Sequence, residues 1–109
     1  MYSKIVLPID MSEPASWAKA LPEALALCQV SGASLHIVSV LPDYRMPMVG
    51  AFFPQGFSAK ARESLSEEQH KFVAEHIPED IKVQCIIADG SPYEGIIKTA
   101  ETLGADLIV

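Results

Sequence analysis

Residues 4–12 read Lys4-Ile5-Val6-Leu7-Pro8-Ile9-Asp10-Met11-Ser12. From Ile5 to Ile9 the run is almost unbroken apolar, the pattern of a strand covered on both faces in a parallel sheet; a half-solvated strand would alternate. Pro8 belongs near the end of that strand, because proline donates no ladder hydrogen bond. Asp10-Met11-Ser12 reads as a tight turn. Ser12 can then cap a helix whose first turn holds Glu13 and Pro14, residues suited to that position by charge and by fixed φ. Trp17, Leu21, Ala24, Leu25 and Cys28 recur at helical spacing and supply its buried face. Pro22 lacks an N–H and is expected to kink or divide this helix, and Gly32 to end it.

The alternation continues to Val109. Leu35 to Leu41 predicts a second buried strand, ended by Pro42. The segment Asp43 to Phe57 holds Pro and Gly breaks and no period, so a long loop is expected; Met46, Met48, Phe52, Phe53 and Phe57 make it apolar enough to pack on the domain or a partner. Between Ser58 and His76, Ala61, Leu65, Phe72 and Val73 share one helical face. Arg62, Glu63, Glu67, Glu68, Lys71 and Glu75 lie elsewhere and read as a solvated surface with no assignable chemistry. Val83, Cys85 and Ile87 predict a third strand, broken at Gly90. Ser91-Pro92-Tyr93-Glu94 then forms a capping box for a helix with Ile96, Ile97, Ala100 and Leu103 inward, stopping at Gly104. Ala105-Asp106-Leu107-Ile108-Val109 begins a fourth strand.

Strand and helix in strict alternation demand right-handed crossovers. The expected fold is therefore α/β, a doubly wound parallel sheet with helices on both faces in a three-layer sandwich, as one domain over residues 1–109. Ligands bind such sheets outside the carboxyl ends of the strands, where strand order reverses. For a chain winding outward from strand one, that crevice lies between strands one and four, with Asp10 to Ser12 as one wall. Ending on Leu107-Ile108-Val109 would leave an apolar strand uncovered, so a C-terminally incomplete domain is expected, with a loop, a helix and a strand still to come.

Half of the 109 residues are hydrophobic and a fifth are charged, enough apolar surface to offset ordering entropy and exclude wholesale disorder. Eight basic residues against fourteen acidic ones give a net charge of −6, and no segment concentrates Lys and Arg. Nucleic acid and anionic membrane are poor partners for such a chain. No apolar run nears the roughly 20 residues of a spanning helix, and a soluble, cytoplasmic protein is expected. Cys28 and Cys85 sit in apolar stretches without CxxC spacing and read as small buried hydrophobes. His36, His70 and His76 show no metal-ligand spacing.

Asp10, at a strand end before a helix, can either cap its own turn or accept hydrogen bonds from a ligand's hydroxyl or amino groups. There is no G-x-G-x-x-G after strand one, no P-loop and no G-x-S-x-G elbow. Asp10 and Asp89 both follow strands, as in phosphoacceptor receiver domains, but the second carboxylate such domains use for Mg2+ is Met11 or Ser12 here.

Taken together, Tyr2 to Ser12 with its Pro8-x-Asp10-x-Ser12 turn, the strand Leu35 to Leu41, Gly90-Ser91-Pro92, and Ala105-Asp106-Leu107-Ile108-Val109 resemble the universal stress protein family in order and spacing, over nearly the whole chain. The resemblance implies an adenine-nucleotide-binding fold, usually a homodimer, acting as an ATP-sensing regulatory module with at most slow ATP hydrolysis. ATP, with or without Mg2+, is the implied ligand, and no intrinsic metal site is implied. The family's adenine and ribose contacts fall on Pro8, Ile9 and Asp10, and a backbone contact from the end of strand two falls on Val40. The phosphates are held in the family by a G-x-x-G loop after strand four, beyond Val109. The alternative within the family is a dimeric interaction or scaffold protein that binds no nucleotide, favoured by the Met- and Phe-containing segment 43–57. An adenine-nucleotide hydrolase is a third reading, for which no residue presents itself as general base.

Overall fold

The opening run forms strand β1 (Lys4–Pro8), with Ile5, Val6 and Leu7 fully buried, as a strand covered on both faces requires. The structure is a computed structural model and describes residues 2–11, 13–41, 57–89 and 92–109. β1 pairs in parallel with β2 (Ser34–Leu41) on one side and with β4 (Leu107–Ile108) on the other. β3 (Val83–Asp89) pairs in parallel outside β2, which gives the order β3-β2-β1-β4. Helices α1 (Ala20–Ser31), α2 (Phe57–His76) and α3 (Pro92–Leu103) make the crossovers. The sheet is thus the expected parallel one, and strand order reverses at β1.

Alternate residues of the two central strands face opposite layers. Ile5, Leu7, Ile9, Leu35 and Ile37 meet Leu21, Ala24 and Cys28 of α1 and Phe72 of α2. Val6 and Val38 point the other way, onto Ile96, Ala100 and Leu103 of α3. Burying each large aliphatic contributes about 1.5–3 kcal/mol, so the unbroken apolar pattern of β1 and β2 follows from two helical layers drawing on one strand pair. β3 is half-buried along most of its length because it is an edge strand. Cys28 is buried and Cys85 half-buried; both thiols are free, with pKa values raised by burial, as small apolar residues would be.

The start of α1 departs from expectation. Instead of one helix from Ser12, a 3-10 turn at Pro14–Ser16 leads to an α-helix that begins at Ala20. Pro22 is therefore the third residue of α1, where an N–H would have no partner inside the helix, and no interior bond is lost. Trp17 keeps the helical spacing of the apolar set yet lies before the helix. It packs on the same core, edge-on to Phe72 with ring centroids 4.9 Å apart. Gly32 ends α1 as expected, at φ +72°, its N–H donating to the Cys28 carbonyl at 2.8 Å.

Two further differences concern the other helices. Ile97 is exposed, not inward: Ile96, Ala100 and Leu103 form the stripe against the sheet, and the next residue lies about 100° round the helix. Gln69 of α2, only 1% exposed, shares the inner face with Phe72 and donates Nε2–H to the Ile86 carbonyl at 2.9 Å. It satisfies a carbonyl of edge strand β3 that has no strand beyond it. At the opposite end of the sheet, the Asp106 carboxylate accepts bonds from the Ser3 amide (2.7 Å), the Lys4 amide (2.8 Å) and the Ser3 hydroxyl (3.0 Å), tying β4 to β1. Among the described residues no helix is long and apolar enough to cross a membrane. The expectations for the Ser12 cap, for Met46, Met48, Phe52 and Phe53 in the loop, and for Gly90 and the Ser91 cap lie outside the described residues.

Candidate functional site

The exit of β1 is shaped by two serines from different elements. The Ile9 N–H makes the last bond to β2, reaching the Val38 carbonyl at 2.9 Å. Ser39, 3% exposed within β2, donates its hydroxyl to the Ile9 carbonyl at 2.9 Å. One residue on, the Ser16 hydroxyl accepts from the Asp10 N–H at 3.1 Å and donates to the Asp10 carbonyl at 3.2 Å. That carbonyl also accepts from the Glu13 N–H at 3.0 Å. The backbone of Ile9 and Asp10 is thus held by a strand and by the turn that follows it. Asp10 itself stands exposed at the carboxyl end of the sheet.

Pro8, Ile9, Asp10 and Val40, the four residues singled out from the sequence, line one cavity of about 840 Å3. Met11 and Ser16 continue its wall from the turn, Val38, Ser39 and Leu41 from β2, and Ile96 from α3. The remaining side is α2, which contributes Lys60, Ala61, Ser64, Leu65 and Glu68. The cavity therefore opens on the β1–β2 side of the reversal point and takes no lining residue from β4, where the crevice was expected. α2 leans toward the edge strand, with Arg62 paired to Asp89 and Gln69 bonded to Ile86, and leaves space above β1 and β2. Close packing of α3 shapes the far rim: a Cβ on Gly95 would lie 3.2 Å from the Ala88 Cβ and 3.5 Å from Val40 Cγ2.

Sequence reasoning missed Ser16, Ser39 and the α2 wall. Ser39 left a visible signal, a hydroxyl residue inside an otherwise apolar strand, whose proton must find a partner when buried. Ser16 and the α2 face left none, since their roles depend on which loop and helix come together.

The cavity combines apolar surface from Ile9, Met11, Val40, Leu41 and Leu65 with a few polar groups, the usual make-up of a small-molecule site. The Asp10 and Glu68 carboxylates can accept from hydroxyl or amino groups, and the Lys60 ammonium can meet an anion. No histidine lines it. His36 is buried elsewhere in β2, held between Ser34 Oγ (2.9 Å) and Gln84 Oε1 (2.8 Å). Among the described residues no three His, Cys, Asp or Glu side chains gather as a metal site would require. The arrangement suits binding and offers no nucleophile oriented by a base.

Comparison with known proteins adds three findings. The family model described as the Universal stress protein family matches residues 1–109. Among solved structures, the universal stress protein UspA from Lactobacillus plantarum is 26% identical with a TM-score of 0.70, the match covering 99% of this chain and 75% of that one. Hypothetical protein MJ0577 is 29% identical with a TM-score of 0.69, over 100% of this chain and 74% of that one. A universal stress protein in complex with cAMP, 21% identical with a TM-score of 0.53, covers 98% and 70% and shares the fold.

Proposed function

The chain belongs to the universal stress protein family, and from that premise we propose that it is an adenine-nucleotide-binding regulatory module that takes ATP in the cavity at the carboxyl ends of β1 and β2. The observation that carries the proposal is the convergence of Pro8, Ile9, Asp10 and Val40 on that one cavity. The residues present suit the adenosine half of the ligand. Ile9, Val40 and Leu41 offer apolar surface to a base, and the Asp10 carboxylate, on a backbone clamped by Ser16 and Ser39, accepts from ribose hydroxyls. The universal stress protein described with cAMP has the same fold, so an adenine nucleotide is a ligand this architecture can take. Mg2+, in this proposal, arrives with the triphosphate. We further propose a cytoplasmic homodimer whose activity is binding, with at most slow hydrolysis.

The test is calorimetric titration of the protein with ATP, alone and as Asp10→Ala. Binding at submillimolar concentration is expected, weakened at least about tenfold by the substitution, the loss of a hydrogen bond to a charged group. No heat of binding up to millimolar ATP would overturn the proposal and favour the dimeric scaffold reading.

A further inference from the structure

We infer that α2 is the second wall of the binding site and that Lys60 is the residue by which the site prefers a phosphorylated ligand to a nucleoside. This rests on the adenine-nucleotide reading and adds a specificity residue to it. From the sequence, the charges of α2 look like solvated surface. In the fold, Lys60 and Ser64 stand one turn apart on the helical stripe that faces the cavity, with Glu68 one turn further.

The direction of the helix settles which end is which. Arg62 meets Asp89 at the carboxyl end of β3, whereas Gln69 meets Ile86, three residues earlier in the same strand. α2 therefore descends antiparallel to the sheet and places Lys60 beside the strand ends, where Asp10 and Val40 also lie. Arg62 is engaged by Asp89, but Lys60 forms no ion pair among the described residues. Its nearest carboxylate on the cavity stripe, Glu68, is eight residues away, about 12 Å along the axis and just beyond the Debye length of about 10 Å at 0.1 M salt. With Asp10 facing the hydroxyls of a ligand, Lys60 is the cation that an adjoining phosphate meets. An ammonium recognises phosphate as a point charge and needs no fixed fork geometry, which suits an exposed side chain on a helix.

The experiment titrates the wild-type protein, Lys60→Gln, Lys60→Glu and the control Lys71→Gln with ATP and with adenosine, at low and high salt. Lys71 removes the same charge from the same helix but does not line the cavity. Lys60→Gln is expected to weaken ATP about fivefold at low salt, the upper end for an exposed ion pair, and to leave adenosine unchanged. Lys60→Glu should weaken ATP further, and both effects should shrink at about 0.5 M salt, where the Debye length falls to a few ångströms. Equal losses for ATP and adenosine, or a loss no larger than that of Lys71→Gln while wild type binds ATP, would overturn the inference and leave the functional reading standing. Failure of the wild type to bind ATP would overturn that reading and this inference together.

Discussion

Replacing Ser39 with alanine isolates the link between the core of the sheet and the cavity. Ser39 is 3% exposed, and its hydroxyl donates to the Ile9 carbonyl at 2.9 Å where β1 leaves the sheet. Ile9 is itself 3% exposed, so the carbonyl deprived of this donor has little access to water. Leaving a buried acceptor unsatisfied costs about 1–3 kcal/mol, and the small volume change from Ser to Ala adds little, so a destabilisation of about 1.5 kcal/mol is expected. For a domain of this size, with a urea m-value of about 1.5 kcal/mol/M, that is a fall of about 1 M in the unfolding midpoint at unchanged slope. Urea titration followed by far-UV circular dichroism measures it. A midpoint within about 0.2 M of wild type would refute the assignment of Ser39 as the pin of the β1 exit. Because Ile9 and Asp10 lie on the cavity wall, ATP affinity should fall in parallel.

Two further substitutions probe the frame around the site. The Asp106 carboxyl is held below its ordinary value of 3.8 by hydrogen bonds from the Lys4 amide, the Ser3 amide and the Ser3 hydroxyl, in that order. A depressed folded value means stability that is present above the unfolded value and lost as pH falls through the folded one. The stability gap between wild type and Asp106→Asn should therefore be full above about pH 5 and close progressively below the ordinary value. A gap that stayed constant down to pH 2.5 in urea midpoints would refute it. Phe72→Ala should cost about 3–5 kcal/mol, since Phe72 is a buried aromatic. Trp17, the single tryptophan, rests edge-on against that ring, so its emission should shift to the red. An unshifted spectrum with stability within about 1 kcal/mol of wild type would show that the Trp17–Phe72 contact is not made.

Much of the fold was legible because it rests on local pattern. The apolar run of β1, the repeat of strand and helix, and the glycines at 32 and 104, both at positive φ, are signals a single segment carries. The start of α1 was misjudged because Trp17 satisfies helical spacing without being helical; it meets the core from a turn. Ile97 was misplaced because apolar character alone does not tell which side of α3 meets the sheet.

For the site, the sequence by itself determined the chemistry available at the end of β1: Pro8, Ile9 and Asp10 follow one another along the chain, and the family motif marks them together with Val40. Tertiary structure alone decided that Ser39 and Ser16 clamp that turn, that the cavity opens toward β2 and away from β4, and that Lys60 stands on its wall. The physical reason is range. Hydrophobic periodicity and turn preference act over a few residues, whereas the wall of a cavity depends on how a helix some 20 to 50 residues further along the chain leans across the sheet. That lean is set by Gln69 and Arg62 finding partners on β3, a pairing between side chains far apart in sequence that no local pattern encodes.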